Sequence, residues 1–185
     1  MPAPRTRQLV ALAIALGLAL TGCMAVDATP PTPTATDAPE PVFASDDEAL
    51  AAAVEAYEAY TLLSSMVSAS PDDGAQPMGT AATETHLREL EASLSGMAAN
   101  GLRTTGAAEV RNYQLAERSI GDGTESLLLY LCLDVGGYRL HNFEGLDVTP
   151  ADRDEISTLL VGMITDADGN LLVDTSELWS GDSVC

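Results

Sequence analysis

Apolar positions recur at helical spacing in two stretches of the chain and alternate through most of its C-terminal half. Leu50, Val54 and Tyr57 stand four and three apart, and Ala53, Tyr60, Leu63 and Val67 continue the stripe. This spacing predicts a helix over 46–69. Ser45-Asp46-Asp47-Glu48 opens it as a capping box: the Ser45 hydroxyl can accept from a free backbone N–H, and Glu48 can return the bond. Acids there also suit the positive helix end. Ser70-Pro71-Asp72-Asp73-Gly74 ends the helix. Leu87, Leu90, Leu94 and Met97 predict a second helix over 80–99, with Glu84 and Arg88 as an i,i+4 pair and Asn100-Gly101 as a left-handed stop.

The period then shortens. Val110, Tyr113 and Leu115 alternate imperfectly within 107–118, which predicts a strand with a bulge. Ile120-Gly121-Asp122-Gly123 reads as a turn. From Thr124 to Val135, Leu127, Leu129, Leu131 and Leu133 take one face and Leu128, Tyr130 and Cys132 the other, the pattern of a central strand. Gly136-Gly137 breaks it, and Tyr138-Arg139-Leu140 resumes extended structure. Ile156–Thr165 is apolar on both faces, Asp168-Gly169 is a hairpin turn, and Leu171–Trp179 forms the last strand. Two helices followed by long strands is an α+β order, with the helices covering one face of a curved antiparallel sheet. If the other face were exposed it would favour a dimer.

Charge narrows the partners. The 185 residues hold 8 arginines, no lysine and 28 acids, a net charge of −20. Nucleic-acid binding needs clustered cations and is disfavoured. So is electrostatic docking on anionic lipid.

The N-terminal stretch reads as an address. Arg5 and Arg7 precede the apolar run Leu9–Leu20, which is short for a bilayer span of about 20 residues. A cationic start followed by such a run predicts a secretory signal over 1–22. Leu20-Thr21-Gly22-Cys23 resembles a bacterial lipobox. The resemblance implies that Cys23 is acylated and becomes the mature N-terminus, on the outer face of the cell membrane. Several acyl chains anchor stably where one does not. Residues 23–44 then form a tether in which Pro30, Pro31, Pro33, Pro39 and Pro41 alternate with threonines. Proline lacks a donor and fixes φ, so this stretch is an extended spacer, about 60 Å long at ~3.1 Å per residue. Its Thr-Pro pairs are candidates for glycosylation. The folded domain is expected over 45–185.

Cys132 and Cys185 remain once Cys23 is assigned to lipid. Exported chains generally pair their cysteines, which would bind the last residue to the central strand; two free thiols is the alternative.

The lipobox, the tether, the helix start Asp46-Asp47-Glu48-Ala49-Leu50, the strand LYLCLDVGG and the ending ELWSGDSVC together resemble a group of small actinobacterial lipoproteins of NTF2-like (SnoaL-like) type. That resemblance covers most of the chain. It implies a cone of helices packed on a strongly bent antiparallel sheet, and it brings no established catalytic residues with it. The absence of lysine and the excess of alanine suit a GC-rich genome.

Candidate chemistry is sparse. Asp166, Asp168, Asn170, Asp174 and Glu177 fall at positions 1, 3, 5, 9 and 12 of an EF-hand-like calcium loop, and Val173 fills the apolar eighth position. Leu171 stands where that loop needs glycine, and too few residues come after it for an exiting helix, so the hairpin is the expected reading. His86 and His141 are lone histidines, expected as surface or core residues. A cone-type isomerase or dehydratase would need a pocket acid and an oxyanion donor; Tyr60, Tyr113 or Tyr130 with Asp134 are the candidates, against plain core packing. Trp179 could line a pocket with them but is expected to close a core. No nucleophile-elbow, phosphate-loop or zinc spacing is present, and no cofactor is expected. The expectation is a lipid-anchored envelope protein that binds a small apolar ligand or another envelope protein. The alternatives are the cone-type enzyme and calcium-dependent binding through 166–177.

Overall fold

The computed structural model describes residues 40–121 and 123–185; the signal and lipobox readings, Cys23 and most of the tether lie outside them. The order is α1 (Asp46–Ala69), two short 3-10 turns (Pro71–Asp73 and Gln76–Thr80), α2 (Glu84–Ala99), β1 (Arg103–Thr105), β2 (Glu109–Gly121), β3 (Thr124–Asp134), β4 (Arg139–His141), β5 (Ile156–Thr165) and β6 (Leu171–Leu178). β2, β3, β5 and β6 form one antiparallel sheet in that order, and β1 pairs with β4 in a separate two-stranded ribbon. The chain is therefore α+β, two helices on one face of a bent antiparallel sheet.

Local chemistry accounts for the elements. Ser45 Oγ accepts from Glu48 N at 3.2 Å, while Glu48 reaches back one residue beyond the usual partner, to Ala44 N at 2.9 Å. α2 starts at Glu84, four residues later than its periodicity predicts. Ala81–Thr83 are held instead against β6, with Val173 N donating to Ala81 O and Thr83 N to Val173 O, both at 2.9 Å. Thr83 then caps the helix at His86 N. At its other end Leu102 N donates to Met97 O and Gly101 N to Ala98 O, with Gly101 at φ 62°, which is a Schellman stop.

Bulges bend the sheet. β2 shifts register against β3 between Arg111 and Gln114 and again between Leu115 and Glu117, and β5 shifts against β6 after Gly162. At the first bulge Asn112 sits at φ 56°, a left-handed conformation that asparagine tolerates better than most residues. Strand β1 went unforeseen because three residues, Arg103–Thr105, carry no period to read.

The core lies between helices and sheet. Ala49, Ala53, Tyr57 and Tyr60 of α1 and Leu94 of α2 meet Leu127, Leu129, Leu131, Val161, Met163 and Val173. The small residues of α1 let its backbone approach the leucines closely.

The folded body begins before Ser45. Residues 42–44, assigned to the tether because of their proline-rich surroundings, are docked on the sheet, and Phe43 is buried. The reason is Glu125, a fully buried acid on β3 that accepts from Val42 N at 2.8 Å and Phe43 N at 3.4 Å.

Candidate functional site

The sequence candidates do not converge. Tyr60 and Tyr113 pack on the helix side of the sheet, and Tyr130 lies on the opposite side. On the helix side Tyr57 and Tyr60 stack with ring centroids 5.3 Å apart, and Tyr60 Oη meets His86 Nε2 at 2.9 Å. His86 is buried, and its Nδ1 faces Glu89 Oε2 at 3.4 Å without hydrogen-bond geometry. Burial raises the Tyr60 phenol well above its ordinary value, and nearby Tyr57 adds to this. Burial likewise pushes Tyr113 up to about 12, with Glu58 and Tyr57 contributing, and its hydroxyl has no partner among the described residues. A phenol held neutral can still donate a hydrogen bond, but the Tyr60 hydroxyl is already engaged with His86.

Asp134, the candidate pocket acid, is already engaged by its neighbours. It accepts from Gly136 N and from Arg111 Nη2, both at 2.8 Å. The Gly136 bond, then Arg111, hold its carboxyl below the usual range. His141 is bonded to Thr105 Oγ1 at 2.9 Å in the β1–β4 ribbon, away from any of these tyrosines. Among the described residues, surface grooves of about 250 to 610 Å3 mark the domain, and none of them is lined by Tyr60, Tyr113, Tyr130 or Trp179.

The calcium-loop residues are spread along a hairpin. Asp166 Oδ1 accepts from Asp168 N and Asn170 N, each at 2.9 Å, and Gly169 at φ 86° completes the turn. The Asn170 side chain, then its backbone, hold the Asp166 carboxyl below the usual range. Asp174 accepts from Thr83 Oγ1 at 2.8 Å. Glu177 pairs with Leu160 at the far end of β6, about 20 Å along the strand from the turn at ~3.3 Å per residue. The spacing that suggested five ligands is that of a turn and a strand, and these side chains do not encircle a common point.

Two arrangements that the sequence did not single out dominate the domain. The first is a clasp at the entry of the chain. Arg118 on β2 donates to the Glu125 carboxylate through Nε, to Phe43 O through Nη2, and to Asp46 Oδ1 through Nη1 at 3.1 Å. Glu125 itself carries Val42 and Phe43. A signal was present: Glu125 shares the inward parity of Leu127, Leu129 and Leu131, and an acid at a core position must have partners.

The second is the outer face of the sheet. Alternation sends Leu128, Tyr130, Leu160, Ile164 and Leu172 away from the helices, and all are only half-buried. One end of this face is covered by residues 179–185. Trp179 N donates to Thr158 O at 2.9 Å, Val184 N to Thr158 Oγ1 at 3.2 Å, and Asn112 Nδ2 to Val184 O at 3.2 Å. The same fold-back sets the Cys185 sulfur at disulfide-bonding distance from that of Cys132, with Cα atoms 5.2 Å apart. Trp179 does not close a core: it is 37% exposed and leans on the Tyr130 ring at 5.0 Å between centroids. The other end of the face, around Leu128, Gly162 and Ile164, is an open groove of about 250 Å3.

No family model matches this chain, and no curated protein matches it. Among solved structures it is similar to the crystal structure of the intermembrane space region of the chloroplast protein ARC6, at 10% identity and a TM-score of 0.51, over 71% of this chain and 97% of that one. At that identity the likeness concerns the fold alone.

Proposed function

We propose that this chain is an exported, lipid-anchored envelope protein that docks another envelope protein on the outer face of its sheet. The observation that carries the docking is the apolar outer face, half-buried at Leu128, Leu160, Ile164 and Leu172 and free of any helical layer among the described residues. Exposed apolar patches rimmed by polar residues mark interaction sites. The export reading rests on the charged start, the apolar run and the lipobox-like Leu20–Cys23. The adjacency of Cys132 and Cys185 is in keeping with an oxidising compartment. The NTF2-like cone is the fold family we infer for the domain; the two helices and the bulge-bent sheet support it.

Docking is favoured over an enclosed ligand or an active site. The helix-facing interior is filled by Met78, Leu127, Leu129, Leu131, Val161 and Met163, each under 3% exposed, which leaves little room for a small apolar molecule. A photo-crosslinking residue at Leu128 or Ile164, compared with one at Glu55 on the exposed side of α1, tests the reading in producing cells. We expect adducts with a second protein from the sheet positions and not from position 55. Adducts of equal yield from both surfaces, or none from the sheet, would refute it.

A further inference from the structure

The open end of the outer face has a shape and charge that specify its occupant, and the geometry points to a cationic amphipathic protein segment, helical in form, lying along the groove. This inference rests on the docking reading above and adds the chemistry of the partner. Across the sheet, Glu117 of β2 stands opposite Leu128 of β3, Leu128 opposite Gly162 of β5, and Gly162 opposite Thr175 of β6, with Asp174 next to it. Gly162 contributes no side chain at the centre of that row, so the floor dips there between Leu128 and Ile164. A Cβ at Gly162 would lie 2.5 Å from Thr175 Oγ1, so the dip is built into the register.

Both margins of the groove are acidic. Glu117 is exposed on one edge strand and Asp174 lines the groove from the other. Three strand intervals separate those edges, about 14 Å at ~4.8 Å each, against about 10–12 Å for a helix with its side chains. An apolar stripe on such a segment would meet Leu128 and Ile164 while lysines or arginines on its flanks met the two carboxylates. The charge of the whole molecule favours the same sign of partner. A second copy of this chain, at −20, would be repelled by the first, whereas a cation is drawn to it from a distance.

The test uses the full chain and two synthetic helical peptides, one of leucine and lysine and one of leucine and glutamate in the same pattern. Methyl NMR should show saturable shifts at Leu128, Ile164 and Leu172 with the lysine peptide only, weakening as salt rises. Glu117→Gln with Asp174→Asn should weaken binding about fivefold, as loss of two surface ion pairs, one exposed and one half-buried, implies. Glu55→Gln with Glu144→Gln, an equal change of charge elsewhere, should leave it within twofold. Asp174→Asn keeps an acceptor for Thr83, and an unchanged spectrum outside the groove certifies folding. Equal loss in both double variants, shifts spread over α1 and α2, or self-association through this face in sedimentation would overturn the proposal. Should the lysine peptide fail while the crosslinks at positions 128 and 164 still form, the partner chemistry is wrong and the docking surface stands.

Discussion

Glu125 is the residue with the most local consequence. Its carboxylate is buried and accepts from two backbone amides and one guanidinium, so it is satisfied in the way a buried charge must be. Glu125→Ala would strip Val42 and Phe43 of their acceptor. We expect hydrogen exchange at those two amides to accelerate about tenfold, since a hydrogen bond to a charged group contributes ~1.5–3 kcal/mol. Exchange in α2 should stay unchanged. Unaltered protection at Val42 and Phe43 would show that Phe43 burial alone holds the segment. The tyrosines yield a pH prediction of known sign. Burial raises the phenols of Tyr57, Tyr60 and Tyr113 in the folded state, so the folded protein keeps protons that the unfolded chain releases near pH 10. Their contribution is full below pH 10 and falls as pH rises from about 10 to about 12. Absorbance at 295 nm should therefore show Tyr57, Tyr60 and Tyr113 ionising above pH 10 together with unfolding. Ionisation of these three near pH 10 with the fold retained would contradict this.

At the scale of elements, the bulge in β2 links the bend of the sheet to the covering tail. Asn112 takes φ 56° and donates to Val184 O. Asn112→Val should cost about 1–2 kcal/mol, because a β-branched residue is strained there, and lower Tm by about 3–6 °C. Asn112→Gly relieves the backbone and loses only the side-chain bond, so its drop should be smaller. Equal drops would assign the whole effect to the tail contact. The helices and long strands were legible because their periods run over several turns or pleats: Leu50 to Val67 on α1, Leu127 to Leu133 on β3. Elements set by tertiary pairing were not. Ala81–Thr83 look like the first turn of α2 until β6 claims their backbone, and β1 is extended only because β4 lies beside it.

For the whole molecule, the address stays a proposal read from the sequence, while the contacts come from the fold. Residue types alone pick out the charged start, the apolar run and Cys23. Which face of the sheet the helices cover is settled by tertiary packing, and that separated Tyr60 on α1 from Tyr130 on β3 and left Trp179 at the surface. The groove around Gly162 was invisible for the same reason, since it exists only where four strands align. In the function proposed above, the domain is carried on a spacer and one sheet face is free to meet a partner, while Arg118 and Glu125 clasp its entry point to the β2–β3 hairpin. That function requires the protein to be held at the membrane by Cys23. Metabolic labelling of producing cells with radioactive palmitate tests this most directly. The account predicts that label enters a membrane-associated product and is lost in Cys23→Ser. A product that stays unlabelled, or that keeps its label without Cys23, would contradict it.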